Sequence, residues 1–277
     1  MSDTSKLTVG TIQGVSGSDL TIKIPVLTSN PEPTLGVGMI AYINGEIKVW
    51  GGIEWRGLGK GVSAVKNGMI VEFLGEAYSG GSNWTNSAPN SIGDATLTGS
   101  YTYAADGGGA FRFSGGQAAT PAYSAGTNGM TLEVVMFNTA TDSATTYGRI
   151  IDWNDTTLSL GTTGSRVFRN WFNAGGSRTS EFQVQSSEPG YYNQWNHAMF
   201  TYDKANAKGY WNGQEVYSSA KTGDLESAAA PFTIGNGDNY AYSGLIRLIR
   251  VYNRGLTATE VTQNFSSVRS KYGISAG

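Results

Sequence analysis

The sequence predicts an all-β protein in two parts. A small N-terminal β module occupies residues 1–64, and a larger β domain over residues 65–277 ends in one short helix. Three observations carry this. Charged residues make up only 14% of the chain, against 39 glycines, 15 tyrosines and 7 tryptophans; few charges with many turn formers and aromatics suit short strands joined by tight turns. No long stretch has the Ala, Leu, Glu and Lys content that sustains long helices. Short runs of β-branched and aromatic residues also recur between clusters of Gly, Asn, Asp and Ser.

In the N-terminal part, Leu7-Thr8-Val9 and Leu20-Thr21-Ile22-Lys23-Ile24 alternate in polarity on either side of a turn-rich stretch. Pro25, Pro31 and Pro33 then break the pattern. Asn44-Gly45 sits between two alternating runs, and both positions of a tight hairpin turn need positive φ, which Asn and Gly supply. Gly57 to Gly61 reads as a linker, which puts the boundary near 62–67. Beyond it, strands are expected at Met69–Leu74, Gly109–Phe113, Thr131–Phe137, Arg149–Trp153, Arg166–Trp171, Phe182–Gln185, His197–Tyr202, Ala207–Trp211, Phe232–Ile234 and Leu245–Tyr252. Asn212-Gly213 marks a second hairpin. Many short strands with polar turns imply a sandwich or barrel.

The run Leu245-Ile-Arg-Leu-Ile-Arg-Val-Tyr252 is ambiguous by periodicity, because its spacing of three suits a helix as well as a strand. Its flanks decide. Gly244 precedes it and Asn253-Arg254-Gly255 follows, leaving a strand-sized segment. Thr257-Ala258-Thr259-Glu260 then forms a capping box, in which the Thr hydroxyl and the Glu carboxylate satisfy each other's backbone amides. A short helix over roughly 257–270 follows from it.

The bulk numbers exclude some classes. A net charge of −2 with no basic run gives no electrostatic reason to expect nucleic acid. No segment approaches the ~20 apolar residues that a membrane helix needs, so no membrane insertion is expected. Cysteine is absent, so there is neither a disulfide nor a thiolate metal site. The first residues carry no apolar core of signal-peptide length, and the triplets at Asn83, Asn154 and Asn264 read as chance glycosylation matches.

Several ordered motifs carry a resemblance. Gly109-Ala-Phe111-Arg-Phe113-Ser-Gly115, Trp195-Asn-His197-Ala-Met-Phe-Thr201-Tyr202-Asp203, Gly209-Tyr-Trp-Asn212-Gly213, Ile234-Gly235-Asn236 and Val251-Tyr252-Asn253-Arg254-Gly255-Leu256-Thr257 follow one another at sensible spacing. They resemble the strand motifs of laminin-G-like (concanavalin A-like, LamG) jelly-roll domains over roughly 68–275. The resemblance implies a jelly-roll sandwich whose last strand and short helix are the segment discussed above. Met69–Leu74 with Trp84-Thr85-Asn86-Ser87, the closing Asn264–Ile274 and the N-terminal Gly38–Trp55 are similar to stretches in tailed-bacteriophage virion proteins. Two departures from that pattern stand out: Asn86 replaces the usual Asp, and Ala88-Pro89 replaces Gly-Asn.

Catalysis finds little support in the residues. His197 is the only histidine, and a catalytic role would need an acid or nucleophile beside it; the plainer reading is a packed strand histidine. No G-x-S-x-G elbow exists. Jelly-roll glycosidases carry two carboxylates on one strand face, whereas Asp152 and Asp155 are three apart and so on opposite faces. No enzyme activity is expected.

Sugar binding needs aromatic faces for C–H surfaces and Asn, Asp or Gln for hydroxyls. Trp153, Asp155, Trp171, Asn173, Tyr191, Tyr192, Asp238 and Tyr240 are the expected glycan contacts, although turns favour Asn, Asp and Gly for backbone reasons alone. The family resemblance adds calcium, for which Asp238, Asn236, Asp152 and Asp155 are the available oxygens, Asp238 and Asn236 foremost. The expected function is a non-enzymatic bacteriophage virion surface protein, either a tail-fibre adhesin or a capsid-decoration component. It would be assembled in the host cytoplasm and displayed on the virion surface. Residues 1–64 would dock on other virion proteins and form a homo-oligomer through exposed strand edges, while the jelly roll binds a host or environmental glycan. The alternatives are a carbohydrate-binding module of a cellular protein, or a glycoside hydrolase with an unrecognised carboxylate pair.

Overall fold

The computed structural model describes the backbone of residues 26–27, 40–43, 46–50 and 55–57. From 62 to 275 it describes all residues except 106–108, 125–128, 140–147, 154–157, 163–166, 180–181, 186, 189, 226–228 and 238, with 177–179 as backbone only. The chain divides into two compact units, Met1–Ser63 and Ala64–Gly277.

In the first unit, β1 (Val26–Leu27) pairs in parallel with β2 (Ile40–Ile43), which pairs antiparallel with β3 (Glu46–Trp50), and β3 with β4 (Trp55–Gly57). Ile43 opposes Glu46; Asn44 and Gly45 between them lie outside the described residues, as do the expected strands at Leu7–Val9 and Leu20–Ile24.

The second unit is a two-sheet antiparallel sandwich, the jelly roll that the motifs imply. Its strands are β5 (Met69–Leu74), β6 (Asn83–Trp84), β7 (Ala95–Thr98), β8 (Tyr101–Ala104), β9 (Ala110–Phe113), β10 (Gln117–Ala119), β11 (Met130–Phe137), β12 (Gly148–Trp153), β13 (Leu158–Thr162), β14 (Phe168–Ala174), β15 (Ser177–Thr179), β16 (Gln183–Val184), β17 (Trp195–Tyr202), β18 (Asn206–Trp211), β19 (Gln214–Ala220), β20 (Phe232–Ile234), β21 (Asn236–Gly237), β22 (Tyr240–Ala241) and β23 (Leu245–Tyr252), followed by helix α1 (Ala258–Tyr272). One sheet runs β19-β18-β17-β11-β23-β9-β8, with β5 also on β23; α1 packs against it. The second sheet runs β15-β14-β13-β12-β20-β10-β7-β6, with β16 on β14 and the β21–β22 hairpin on β12.

Side-chain alternation builds the core between them. On β11, Met130, Leu132, Val134 and Met136 enter the main core with Trp84, Phe111, Phe113, Trp153, Phe168, Phe172, Phe200 and Trp211. Each fully buried aromatic or large aliphatic side chain contributes about 1.5–3 kcal/mol of transfer free energy. Trp84 is wholly buried, donates from Nε1 to the Leu74 carbonyl at 3.0 Å, and lies 4.4 Å from the Phe111 ring.

The ambiguous run is a strand because both its faces are covered. Ile246, Ile249 and Val251 enter the main core. Leu248 packs under α1 with Val135, Phe265, Val268 and Tyr272, and Tyr252 packs with Met69 and Leu256. A strand covered on both sides loses polar alternation, and a bulge between Val135 and Met136 shifts its register further. The α1 capping box is present: the Thr257 hydroxyl accepts from the Glu260 amide, and the Glu260 carboxylate accepts from the Thr257 amide at 2.9 Å.

Some expected boundaries move. The Arg166–Trp171 strand is Phe168–Ala174, and the Phe182–Gln185 strand is Gln183–Val184. Strands β7, β8, β10 and β13 were not expected from the sequence, because Ala-Thr-Leu-Thr, Tyr-Thr-Tyr-Ala, Gln-Ala-Ala and Leu-Ser-Leu-Gly-Thr carry little apolar signal. Pairing with neighbours makes them strands. Asn86 ties the loop after β6 to β5. Its Oδ1 accepts from the Glu72 amide at 2.9 Å, and its Nδ2 donates to the Ile70 and Gly93 carbonyls at 2.9 and 3.1 Å. An aspartate cannot make the last two bonds, which accounts for the asparagine here.

Candidate functional site

Of the expected glycan contacts, the structure brings two to one surface. Trp171 and Asn173 are two apart on β14, so both project from the outer face of the second sheet, as does Arg169. Phe168, Phe172 and Ala174 alternate with them into the core. Strand register supplies the rest of the patch. Asp152 on β12 opposes Ser159 on β13, which opposes Trp171 on β14. In a neighbouring row Arg149 opposes Gly161, which opposes Arg169.

Contacts join these rows. The Arg149 guanidinium lies 4.1 Å from the Trp171 ring centroid, and the Arg169 guanidinium lies 5.8 Å from it. Arg149 Nη1 donates to Ser159 Oγ at 2.7 Å. The β21–β22 hairpin closes one side: a Cβ on Gly237 would collide with the Asp152 side chain, so only glycine fits where the hairpin crosses β12. Arg149, Asp152, Ser159, Trp171 and Asn173 are buried, whereas Arg169 is half-buried and Tyr240 on the hairpin is exposed. Arg169 Nε, Asn173 Oδ1 and Asn236 Oδ1 are buried without a hydrogen-bond partner among the described residues. Sequence reasoning missed Arg149, Ser159 and Arg169. For Arg169 the signal existed, since Arg169-x-Trp171-x-Asn173 is a same-face spacing.

Apart from Tyr240, on the hairpin that pairs with β12 next to Arg149, the other expected contacts lie elsewhere. Trp153 is a core residue: it stacks on Phe232 at 5.7 Å, donates to the Ala230 carbonyl, and has no exposed surface on which to hold a sugar. Tyr191 is likewise buried, stacked at 5.9 Å on Trp211, with Tyr192 edge-on against it. The sequence predicts both as loop aromatics, but the turn they occupy folds onto the core, with Tyr191 inside it and Tyr192 packed against it. Asp155 and Asp238 lie outside the described residues. Asn236 donates to the Gly115 carbonyl at 3.1 Å. Among the described residues, no group of three or more His, Asp or Glu side chains could hold a metal ion. Of the expected calcium donors they include Asn236 and Asp152.

A second polar cluster lies on the other sheet, beneath α1. His197 is fully buried, and its Nε2 sits 3.1 Å from Glu133 Oε1, an acceptor, so Nε2 carries the shared proton. Arg250 bridges two acids, with Nε 3.0 Å from Glu72 Oε1 and Nη1 3.1 Å from Glu133 Oε1. Asn264 on α1 donates to Glu133 Oε2 at 2.7 Å and accepts from the Val65 amide at 2.8 Å. Lys66 pairs with Glu72 at 2.9 Å. Burial pushes the Glu133 carboxyl up, but the Arg250 charge with the His197 and Asn264 hydrogen bonds more than cancels it, leaving it below the usual carboxylate range. Glu72 is likewise held low, with Lys66, Arg250 and Ser87 outweighing burial. Burial would lower Arg250, but the acids, Glu133 foremost, hold it above the ordinary arginine value. The expected packed histidine is therefore the end of a sealed ionic network that ties β5, β11, β17 and β23 to α1.

Comparison with known proteins places the chain. The profile of the concanavalin A-like lectin/glucanases superfamily, in its laminin-G form, matches residues 106–262, more than half the chain, and the chain belongs to that superfamily. No curated protein sequence matches it. Solved structures show the same fold. The receptor binding domain of the botulinum neurotoxin C/D mosaic serotype matches at TM-score 0.60 and 12% identity, over 76% of this chain and 55% of that one. The binding domain of botulinum neurotoxin DC, solved in complex with SialylT, matches at TM-score 0.56 and 13% identity, over 73% and 52%. Domain 4 of AbnA, an extracellular arabinanase of Geobacillus stearothermophilus solved with arabinotriose, matches at TM-score 0.50 and 21% identity, over 72% of this chain and 99% of that one. The chain thus spans about half the length of the neurotoxin domains it matches.

Proposed function

We propose that this chain is a non-enzymatic glycan-binding protein of a bacteriophage particle surface, an adhesin or decoration component. Its sandwich would contact a host or environmental glycan, and residues 1–64 would hold it, as a homo-oligomer, on other virion proteins. The observation that carries the glycan reading is the polar patch around Trp171 on the outer face of the second sheet, where Arg169 and Asn173 keep polar atoms without a partner among the described residues. Such convergent polar groups beside an aromatic are what sugar hydroxyls need. Two structural neighbours were solved in complex with SialylT and with arabinotriose. Against catalysis, Asp152 is the one carboxylate on the strands of the second sheet, while Glu72 and Glu133 are buried against Arg250. The virion reading rests on the Met69–Leu74, Trp84–Ser87, Asn264–Ile274 and Gly38–Trp55 resemblances.

A cellular carbohydrate-binding module is the second reading, favoured by the coverage of nearly all of domain 4 of AbnA. The test is to pass the full chain over a glycan panel, with calcium and with chelator, following retention and reducing-end release. Retention without release supports the reading; release of reducing ends refutes the non-enzymatic part. The virion reading predicts the chain among the proteins of purified particles of the phage that encodes it, and its absence there would leave the cellular module.

A further inference from the structure

The patch around Trp171 does not present an aromatic platform. A neutral sugar is usually held by stacking its C–H face on an exposed ring. Trp171 is only 8% exposed, and the Arg149 guanidinium lies 4.1 Å from its centroid. The indole holds an arginine, a cation–π arrangement. Trp153 and Tyr191 are in the core, and Tyr192 leans on Tyr191. What the patch does offer is guanidinium groups. Arg149 and Arg169 lie in one cross-strand row, and Gly161 between them adds no side chain. Among the described residues, two guanidiniums therefore face one carboxylate, Asp152. Among the described residues the Arg169 Nε–H has no acceptor, and Asn173 Oδ1, four residues further along the same strand and beyond Trp171, has no donor. A buried donor without a partner is destabilising, more so when charged, and a ligand oxygen that reaches it relieves that.

We infer that the ligand of this patch is an acidic glycan, one whose sugar rings carry carboxylate groups. Arg169 donates to the carboxylate in a planar two-bond fork, Arg149 contributes charge from its seat on Trp171, and Asn173 Oδ1 accepts from a sugar hydroxyl further along the oligosaccharide. A planar fork matches a carboxylate in a way that a lysine ammonium does not. The inference rests on the glycan-binding reading and narrows it to a charge class.

The test uses the full chain immobilised at low ionic strength, with five probes: an oligogalacturonate, an oligosialic acid, the methyl ester of each, and neutral arabino-oligosaccharides. At least one carboxylated probe is expected to be retained. Its methyl ester should bind at least about 10-fold more weakly, the fold-change of losing one charge-assisted contact, and retention should fall as salt is raised. Arg169→Met is expected to lose about 10-fold or more and Arg169→Lys to recover only part of it. Asn173→Ser, a smaller change, should weaken binding with an unchanged melting temperature, which keeps the test meaningful if Arg169→Met perturbs folding. Equal retention of a carboxylated probe and its ester, or retention of neutral probes alone, overturns the acidic assignment while leaving glycan binding in place. Retention of no probe overturns both.

Discussion

Replacing Arg250 by methionine tests the reading of the buried network most directly. Arg250 sits between Glu72 and Glu133, which are 5% and 0% exposed, and bonds one oxygen of each. Methionine matches its bulk but not its charge, so two acids keep their burial and lose their shared counter-ion. Removing one partner of a buried ion pair costs about 3–5 kcal/mol. For a unit of this size, that is a fall in melting temperature on the order of 6–20 °C. Both carboxyls are held below their usual range in the folded chain. The stability they add is therefore present above the unfolded glutamate value of about 4.3, and is lost as pH falls through the lowered folded values. The gap between native chain and variant should be full at pH 7 and should narrow towards pH 3. Urea unfolding, followed by tryptophan fluorescence at both pH values, measures it. A loss under about 1 kcal/mol at pH 7 would refute the network as a structural element. So would a loss of the same size at both pH values, which would mean that packing and not charge is at stake.

Three further outcomes are expected. Glu260→Gln removes the capping carboxylate and its paired contacts to Arg254 at 2.6 and 2.9 Å, costing about 1 kcal/mol because the pair is partly exposed. Arg254 holds the Glu260 carboxyl down to about 2, so in pH-dependent melting the difference should persist through pH 4 and fade only near pH 2. Gly213→Ala places a methyl group at φ +84° against the Phe265 ring and should cost about 1–3 kcal/mol. Gly176→Ala, at φ +76° in open space, should cost clearly less in the same denaturation series, and equal costs would show that the Phe265 contact is immaterial. Asn86→Asp deletes the two amide donors to Ile70 and Gly93 and is expected to lose about 1–3 kcal/mol, read as a shift in urea midpoint with unchanged slope.

The network also fixes where the sandwich begins. Val65 donates to Asn264 and accepts from the Tyr252 hydroxyl, while Lys66 grips Glu72. Residues 64–66 are thus fastened to the last strand and the helix, nearly two hundred positions away in the chain. The ordering of this entry segment and the ionic cluster under α1 are one structural feature, and Asn264 belongs to both.

What the sequence alone determined is what local physics decides. The Leu245–Tyr252 strand was legible from its flanks, the start of α1 from Thr257 and Glu260, and the second hairpin from Asn212-Gly213, whose positive φ angles the structure bears out. Ordered motifs carried the sandwich as a whole. Tertiary structure alone decided which aromatics are core and which are surface, because Trp153 and Trp171 have the same chemistry and similar neighbours in sequence. One enters the space between the sheets; the other faces out and carries an arginine. Weakly apolar strands such as Ala95–Thr98 exist because their neighbours supply hydrogen-bond partners, which no local pattern records. Glu133 meets His197 across 64 positions and Arg250 across 117. Contacts of that separation arise from strand order and register, and those are properties of the folded sheets rather than of any stretch of chain.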